Sequence, residues 1–239
     1  MGVPEACRTR RVAYLAVNTQ LQFLGKPRSM IHAYSAPTPN GHKLHIMLEE
    51  CELEYDLHRI NFGDNDQFKP DFLKISPNNK IPAILDEDGP GGAPVSVFES
   101  GAILIYLADK LGKFIPDPQK DPRGRIALNE WLMWQMGGVG PMLGQNGHFR
   151  NFAPEKVPYG IQRYAEEMDR IYNVADRRLG ETRYLVGDDY TIADIATYGW
   201  LRTHEFQGQS LDGLDNVKRW LDEVGARPAV QRGIAVFDG

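Results

Sequence analysis

Ser76-Pro77-Asn78-Asn79-Lys80-Ile81-Pro82-Ala83-Ile84-Leu85, followed further on by Phe98-Glu99-Ser100-Gly101-Ala102, is the stretch whose reading decides the fold. A proline entering a run of apolar strand residues donates no ladder hydrogen bond, so Pro82 belongs at a strand's first residue or on an edge. With the Ile81-Pro82 bond in the cis form, the Ile81 N–H and C=O would face outward, ready to pair with an extended peptide. Val95 to Phe98 reads as the strand that returns beside Ile81 to Leu85, across the turn-rich Asp86 to Pro94. Glu99 and Ser100 then stand where that strand ends and a helix begins. The unpaired N–H groups and positive dipole end there favour a carboxylate, and the Glu99 carboxylate suits an ammonium.

Outward from this centre, Ile31 to Tyr34 suits a short strand. Apolar residues then recur at Leu44, Met47, Leu48 and Cys51, one face of a helix that follows the punctuation Pro37-Thr38-Pro39-Asn40-Gly41. A second strand is expected near Tyr55 to Phe62, a short helical piece around Phe68 to Ile75, and a helix through Ile103, Leu104, Leu107 and Leu111. The order βαβαββα predicts an α/β layer resembling the thioredoxin fold over residues 30–111. Gly112 to Pro122, with three prolines, reads as a linker. Residues 123–239 carry no strand pattern and are expected to be an all-α domain, with helices over Ile126 to Met136, Tyr159 to Leu179, Ile192 to Phe206 and Val217 to Val224. Thr191-Ile192-Ala193-Asp194 reads as a capping box with an acid at its third helical position. Gly137 to Phe149 is too glycine-rich for an uninterrupted helix.

Composition sets outer bounds. The chain has 239 residues, enough for a substantial core, and a formal net charge of −5, so neither a basic nucleic-acid surface nor a nucleic-acid partner is indicated. Cys7 and Cys51 lack metal-like or redox-pair spacing, and no apolar run approaches a membrane helix, so no membrane partner and a cytoplasmic location are expected. Residues 1–29 set Arg8, Arg10, Arg11, Lys26 and Arg28 against a single acid, Glu5. They read as a basic N-terminal extension rather than a transit peptide.

A backbone-reading edge beside a zwitterion-reading helix start suits glutathione, whose γ-glutamyl end carries both charges. The runs N-N-K-I-P-A-I-L (78–85) and F-E-S-G-A-I-L-I-Y-L-A (98–108) resemble the glutathione transferase superfamily, and A-P-T-P-N-G-H-K (36–43) resembles its bacterial Nu class of disulfide-bond oxidoreductases. The resemblance spans roughly Met30 to the C-terminus and implies a thioredoxin-like N-terminal domain followed by an all-α one. The turn that would hold a redox dithiol in a thioredoxin-like fold holds Thr38-Pro39-Asn40-Gly41 here, so the reactive sulfur is expected to come from glutathione as cosubstrate. Asn40 and Thr38 offer side-chain donors at the opening of the Leu44 helix and are the expected catalytic pair. Such donors lower a thiol's pKa from near 8.5 toward ~7. Tyr34 is the alternative activator, Ser35 a weaker third, and Cys51 is assigned to the core.

The resemblance carries further roles. Gln67 and Lys80 are expected near the glycyl end, Ile81 and Pro82 at the backbone edge, and Glu99 and Ser100 at the γ-glutamyl group. Arg163, in P-Y-G-I-Q-R-Y, is expected to reach a second glutathione. Met142, His148 and Phe149 are expected to line an acceptor pocket, and no metal site is expected, neither from His148 nor from the pair His42 and His45. The implied activity is reduction of a small-molecule disulfide by bound glutathione. The alternatives are conjugation of glutathione to a small electrophile, and a glutathione-binding regulatory module without turnover. A homodimer is implied, each site bordering the partner's helical domain.

Overall fold

The computed structural model describes residues 30–238, so the extension expected over residues 1–29 lies outside the described residues. Strand β1 (Ile31–Ser35) leads into helix α1 (Pro39–Glu50), which starts where proline fixes the first helical φ and Thr38 caps it by accepting from the Gly41 N–H at 3.1 Å. Then come β2 (Tyr55–Arg59), two 3₁₀ turns (Phe62–Asp64 and Asp66–Phe68), α2 (Pro70–Ile75), β3 (Ala83–Asp86), β4 (Val95–Phe98) and α3 (Ser100–Leu111). The strands lie in the order β2-β1-β3-β4; β1 runs parallel to β2 and antiparallel to β3, and β3 pairs antiparallel with β4. This is the expected α/β layer. β2 ends at Arg59 rather than Phe62, because Ile60 donates to the Ser35 carbonyl and Asn61 turns the chain by capping the first 3₁₀ turn.

The two faces of the sheet are covered differently. Ile31, Ala33 and Ile84 pack with Leu44, Met47, Leu48, Ile103, Leu104 and Leu107 in the main core. The opposite face carries a smaller cluster of Ile60, Phe72 and Ala83 beside Tyr34. The second half is all helical, with α4 (Pro122–Trp134), α5 (Gly140–Gly147), α6 (Pro158–Glu181), α7 (Ile192–Leu201), α8 (His204–Gln207), α9 (Asp215–Gly225) and α10 (Pro228–Ala235). The glycine-rich run is not an uninterrupted α-helix, as expected: π-helical turns at Gln135–Val139 and His148–Phe152 flank α5, although the backbone stays helical from α4 through them. Each helical glycine costs about 1 kcal/mol relative to alanine. That cost is offset here because Gly140 and Gly144 let the Trp200 ring lie close against the helix.

α1 is the central shared element. Only its apolar stripe was expected to be covered, yet Gly41 to Leu48 are all buried. The second half closes over its far side: a Cβ on Gly199 of α7 would stand 2.6 Å from the Pro39 carbonyl, and one on Gly233 of α10 would stand 2.7 Å from the Ile46 nitrogen. Both helices therefore touch the α1 backbone, and one continuous core runs through both halves. Cys51 is a buried free thiol of that core, pushed up to about 11 by desolvation. The capping box is present and does more than cap. Asp194 accepts from Thr191 N at 3.0 Å while its other oxygen accepts from Leu185 N and the Trp220 indole, both at 3.0 Å.

Candidate active site

Where the start of α1, the entry to β3 and the start of α3 meet α5, a cavity of about 570 Å³ opens. From the α/β half it is lined by Asn40, Lys43, Ser76, Lys80, Ile81, Pro82, Phe98, Glu99 and Ser100, and from the helical half by Gln135, Met136, Gly140, Pro141, Gly144, Gln145 and Trp200. The Ile81-Pro82 bond is cis. Ser76 fixes the approach to it by donating from its hydroxyl to the Lys80 carbonyl at 2.8 Å.

Glu99 sits at φ 70° and ψ 117°, a backbone region that L-residues rarely adopt and that is tolerated where the surroundings impose it. Its side chain does not cap α3; one oxygen accepts from Asn78 Nδ2 at 3.3 Å. The first intrahelical donor of α3 is Ile103, bonded to the Glu99 carbonyl at 2.9 Å. The N–H groups of Ser100, Gly101 and Ala102 precede it, an anion-binding helix start on the cavity wall.

Asn40 is held by a residue that sequence reading missed. The Trp200 indole N–H donates to Asn40 Oδ1 at 2.9 Å. An indole nitrogen can only donate, so the amide oxygen must face the ring and the Asn40 NH₂ group is left as the donor available to the cavity. The signal in the sequence is Gly140 with Gly144, one helical turn apart, which makes room for a large ring.

Lys43 was missed as well. Its side chain is buried, and its ammonium donates to Gln135 Oε1 at 2.6 Å and to Ser100 Oγ at 3.3 Å. Burial lowers its pKa to about 7, against which the nearby Glu99 carboxylate works. In its protonated form Lys43 can only donate, so Gln135 presents its oxygen to it, and Gln135 Nε2 is left buried with no hydrogen-bond partner among the described residues. Lys43, the Gln135 amide and the α3 N–H groups thus make one corner rich in donors and short of acceptors. A carboxylate is the complementary group.

Thr38 does not line this cavity. Its Oγ1 is occupied as the α1 cap, and it borders a separate shallow depression with Arg59 and Phe62. Tyr34 stacks on His58, with centroids 4.5 Å apart, and packs on Phe72. Ser35 is buried beneath Gly41. Gln67, on the second 3₁₀ turn, and Arg163, exposed on α6 and 3.9 Å from Glu167, are both away from the cavity lining. The expected acceptor residues are also placed elsewhere. α5 turns Pro141, Gly144 and Gln145 toward the cavity, so Met142 faces the main core and Phe149, seven residues on, stacks on Tyr164 at 5.4 Å. His148 is exposed beyond the cavity lining.

The model of the glutathione S-transferase N-terminal domain matches residues 29–109, and that of the C-terminal domain residues 160–228. The disulfide-bond oxidoreductase YfcG of Escherichia coli K12 is 48% identical over 206 residues, covering 86% of this chain and 94% of YfcG. A glutathione transferase family member from Pseudomonas fluorescens pf-5, solved with two glutathione bound, superposes with a TM-score of 0.81 at 47% identity, covering 90% of this chain and 96% of that one. A glutathione transferase from Pseudomonas putida, solved with one glutathione disulfide bound per subunit, gives a TM-score of 0.81 at 42% identity, covering 93% and 98%. Family models, relatives and solved structures agree over both halves of the molecule: the chain belongs to the glutathione S-transferase family.

Proposed function

We propose that the chain is a glutathione-dependent disulfide-bond oxidoreductase. The observation that carries this reading is the Asn40 amide, locked by Trp200 so that its NH₂ donor serves a cavity with no cysteine of the described chain in its lining. The sulfur nucleophile is therefore the ligand's. The γ-glutamyl carboxylate of glutathione takes the donor corner of Ser100, Lys43 and Gln135, its ammonium takes Glu99, and its backbone pairs with Ile81. The Asn40 amide stabilises the thiolate.

Electrons balance as in thiol–disulfide exchange. The thiolate attacks one sulfur of the substrate disulfide and expels the other as thiolate, which takes up a proton. A second glutathione thiolate then attacks the mixed disulfide, giving glutathione disulfide and the second reduced thiol. YfcG carries the name disulfide-bond oxidoreductase, and the Pseudomonas putida relative holds glutathione disulfide, which supports this route over conjugation. Thr38 belongs to the reading as the cap that sets the start of α1 beside Asn40, and Gln67 and Arg163, outside the cavity lining, are assigned by the family resemblance to the glycyl end and to a second glutathione.

Turnover of 2-hydroxyethyl disulfide with glutathione is the test. Activity retained in Cys51→Ala and reduced in Asn40→Ala supports the proposal. Inactive folded protein, or a much larger kcat/KM for an aromatic halide, refutes it. The proposed working form is a homodimer: Ile126 and Met133, seven residues apart on α4, are 60% and 52% exposed and form an apolar stripe suited to a second copy. A light-scattering mass of one chain would contradict that assembly.

A further inference from the structure

On the sheet face opposite the main core, β1 and β2 bring together three groups that the glutathione site does not use. The parallel register pairs His32 with Asp56 and Tyr34 with His58, and strand alternation points all four side chains to the same face. The atoms His32 Nδ1 and His58 Nε2 are 3.2 Å apart, His58 Nε2 and Asp56 Oδ2 3.2 Å, and His32 Nδ1 and Asp56 Oδ2 3.6 Å. All three residues remain partly open to solvent. None lines the glutathione cavity.

We propose that His32, Asp56 and His58 form a binding site for a divalent transition metal, zinc fitting best, with one coordination position left open. Tetrahedral zinc holds nitrogen and carboxylate ligands at about 2.0–2.2 Å, which sets neighbouring ligand atoms roughly 3.3–3.5 Å apart. The three observed separations bracket that edge, so the donors already outline one face of a tetrahedron. The surroundings orient two of them. His32 Nε2 lies 3.2 Å from Glu87 Oε1, and the other Glu87 oxygen is fixed by the Met30 N–H at 3.0 Å. A proton on Nε2 facing that carboxylate leaves the Nδ1 lone pair directed at the cluster, as metal-ligating histidines are commonly arranged. The His58 ring is held by stacking on Tyr34, with an interplanar angle of 13°.

A cation also resolves a hydrogen-bonding shortfall. With His32 protonated on Nε2, its Nδ1 and the Asp56 oxygen are both acceptors, and the single His58 Nε2–H must serve the two of them. A metal ion satisfies all three atoms together. The imidazole and carboxylate set suits zinc, copper or nickel rather than magnesium or calcium. Such an ion would clamp β1 to β2 beside the start of the chain's described part.

The test uses full-length protein without a polyhistidine tag, stripped with chelator and free of glutathione, titrated with Co(II). The expected result is one Co(II) per chain with the visible d–d bands of a low-symmetry site, displaced by Zn(II). His32→Ala and His58→Ala should each abolish that stoichiometric binding with an unchanged far-UV spectrum, since both side chains are partly open to solvent and outside the main core. Glu87→Gln should weaken it by roughly 10–100-fold, the usual effect of losing a carboxylate behind a ligand. Disulfide reductase activity should be the same with and without metal. Absence of stoichiometric binding overturns the proposal, and so does binding undiminished in both histidine variants. Either result would leave the cluster as a hydrogen-bonded group alone.

Discussion

At Asn40, a single bond from Trp200 determines which end of the amide faces the cavity. Asn40→Ala is expected to lower kcat/KM for 2-hydroxyethyl disulfide about 10²–10³-fold, the usual loss for one preorganised donor to a developing anion. Trp200→Phe keeps the amide but frees it to flip, and should cost about tenfold, comparable to one hydrogen bond to a charged group. The split matters: if both variants lost equally in KM alone, Asn40 would be holding the peptide and not the sulfur. Lys43 gives a second prediction. With its pKa near 7, the free enzyme at pH 8 holds mostly the neutral amine, and a carboxylate beside Ser100 draws a proton back onto it. Glutathione binding at pH 8 should therefore take up about one proton through this group. Calorimetry in buffers of different ionisation enthalpy measures the net change, which also includes protons released as the bound thiol ionises, and Lys43→Met should shift it by about one proton toward release.

At the scale of elements, the site is formed where α7 presses on the start of α1. Gly199→Ala would thrust a methyl to 2.6 Å from the Pro39 carbonyl, a backbone atom that cannot rotate away. The expected cost is about 1–3 kcal/mol in urea unfolding, with a loss of activity because α7 carries Trp200. This contact also shows what the sequence could and could not convey. The Pro37 to Gly41 punctuation, the apolar recurrence at Leu44, Met47 and Leu48 and the proline before Ala83 are local signals, and they place the α/β elements within a few residues. Gly140 and Gly144 read as helix breakers because their compensation lies in the Trp200 ring, far off in sequence. Lys43 is a solvated lysine by any local rule; the start of α3 and the π-helical turn at Gln135 and Met136, both distant in sequence, close over its ammonium and bury it. Motifs for Ile81, Glu99 and Ser100 are legible because a cis proline and a helix start are local backbone signals, whereas Gln135 and Trp200 arrive from the other half and carry no local mark.

For the molecule as a whole, the same burial of α1 sets how stability depends on pH. Desolvation lowers His42 to about 4, with Arg202 adding to it, and lowers His45 to about 3, with His42 adding to it. The unfolded chain protonates both near 6.5, so between that pH and the folded values it binds protons that the native state refuses. The stability these rings contribute is whole above about pH 6.5 and drains away as pH falls through 4 and 3, on the order of several kcal/mol. Lys43 acts in another window: the unfolded lysine keeps its proton up to about 10.5 while the folded one releases it from about 7, so stability climbs with pH between them. Urea midpoints should thus fall steeply on acidification below pH 6 and rise from pH 7 toward 9. His45→Phe should flatten the acid limb, its ring taking the apolar place beside Phe237. Lys43→Met should be more stable than the parent at pH 7 by on the order of a few kcal/mol, with the gain shrinking as pH approaches 10. A Lys43→Met variant that is less stable than the parent at every pH would mean that the bonds to Gln135 and Ser100 outweigh the desolvation of the ammonium. The corner would then be fastened in its charged form before any carboxylate arrives.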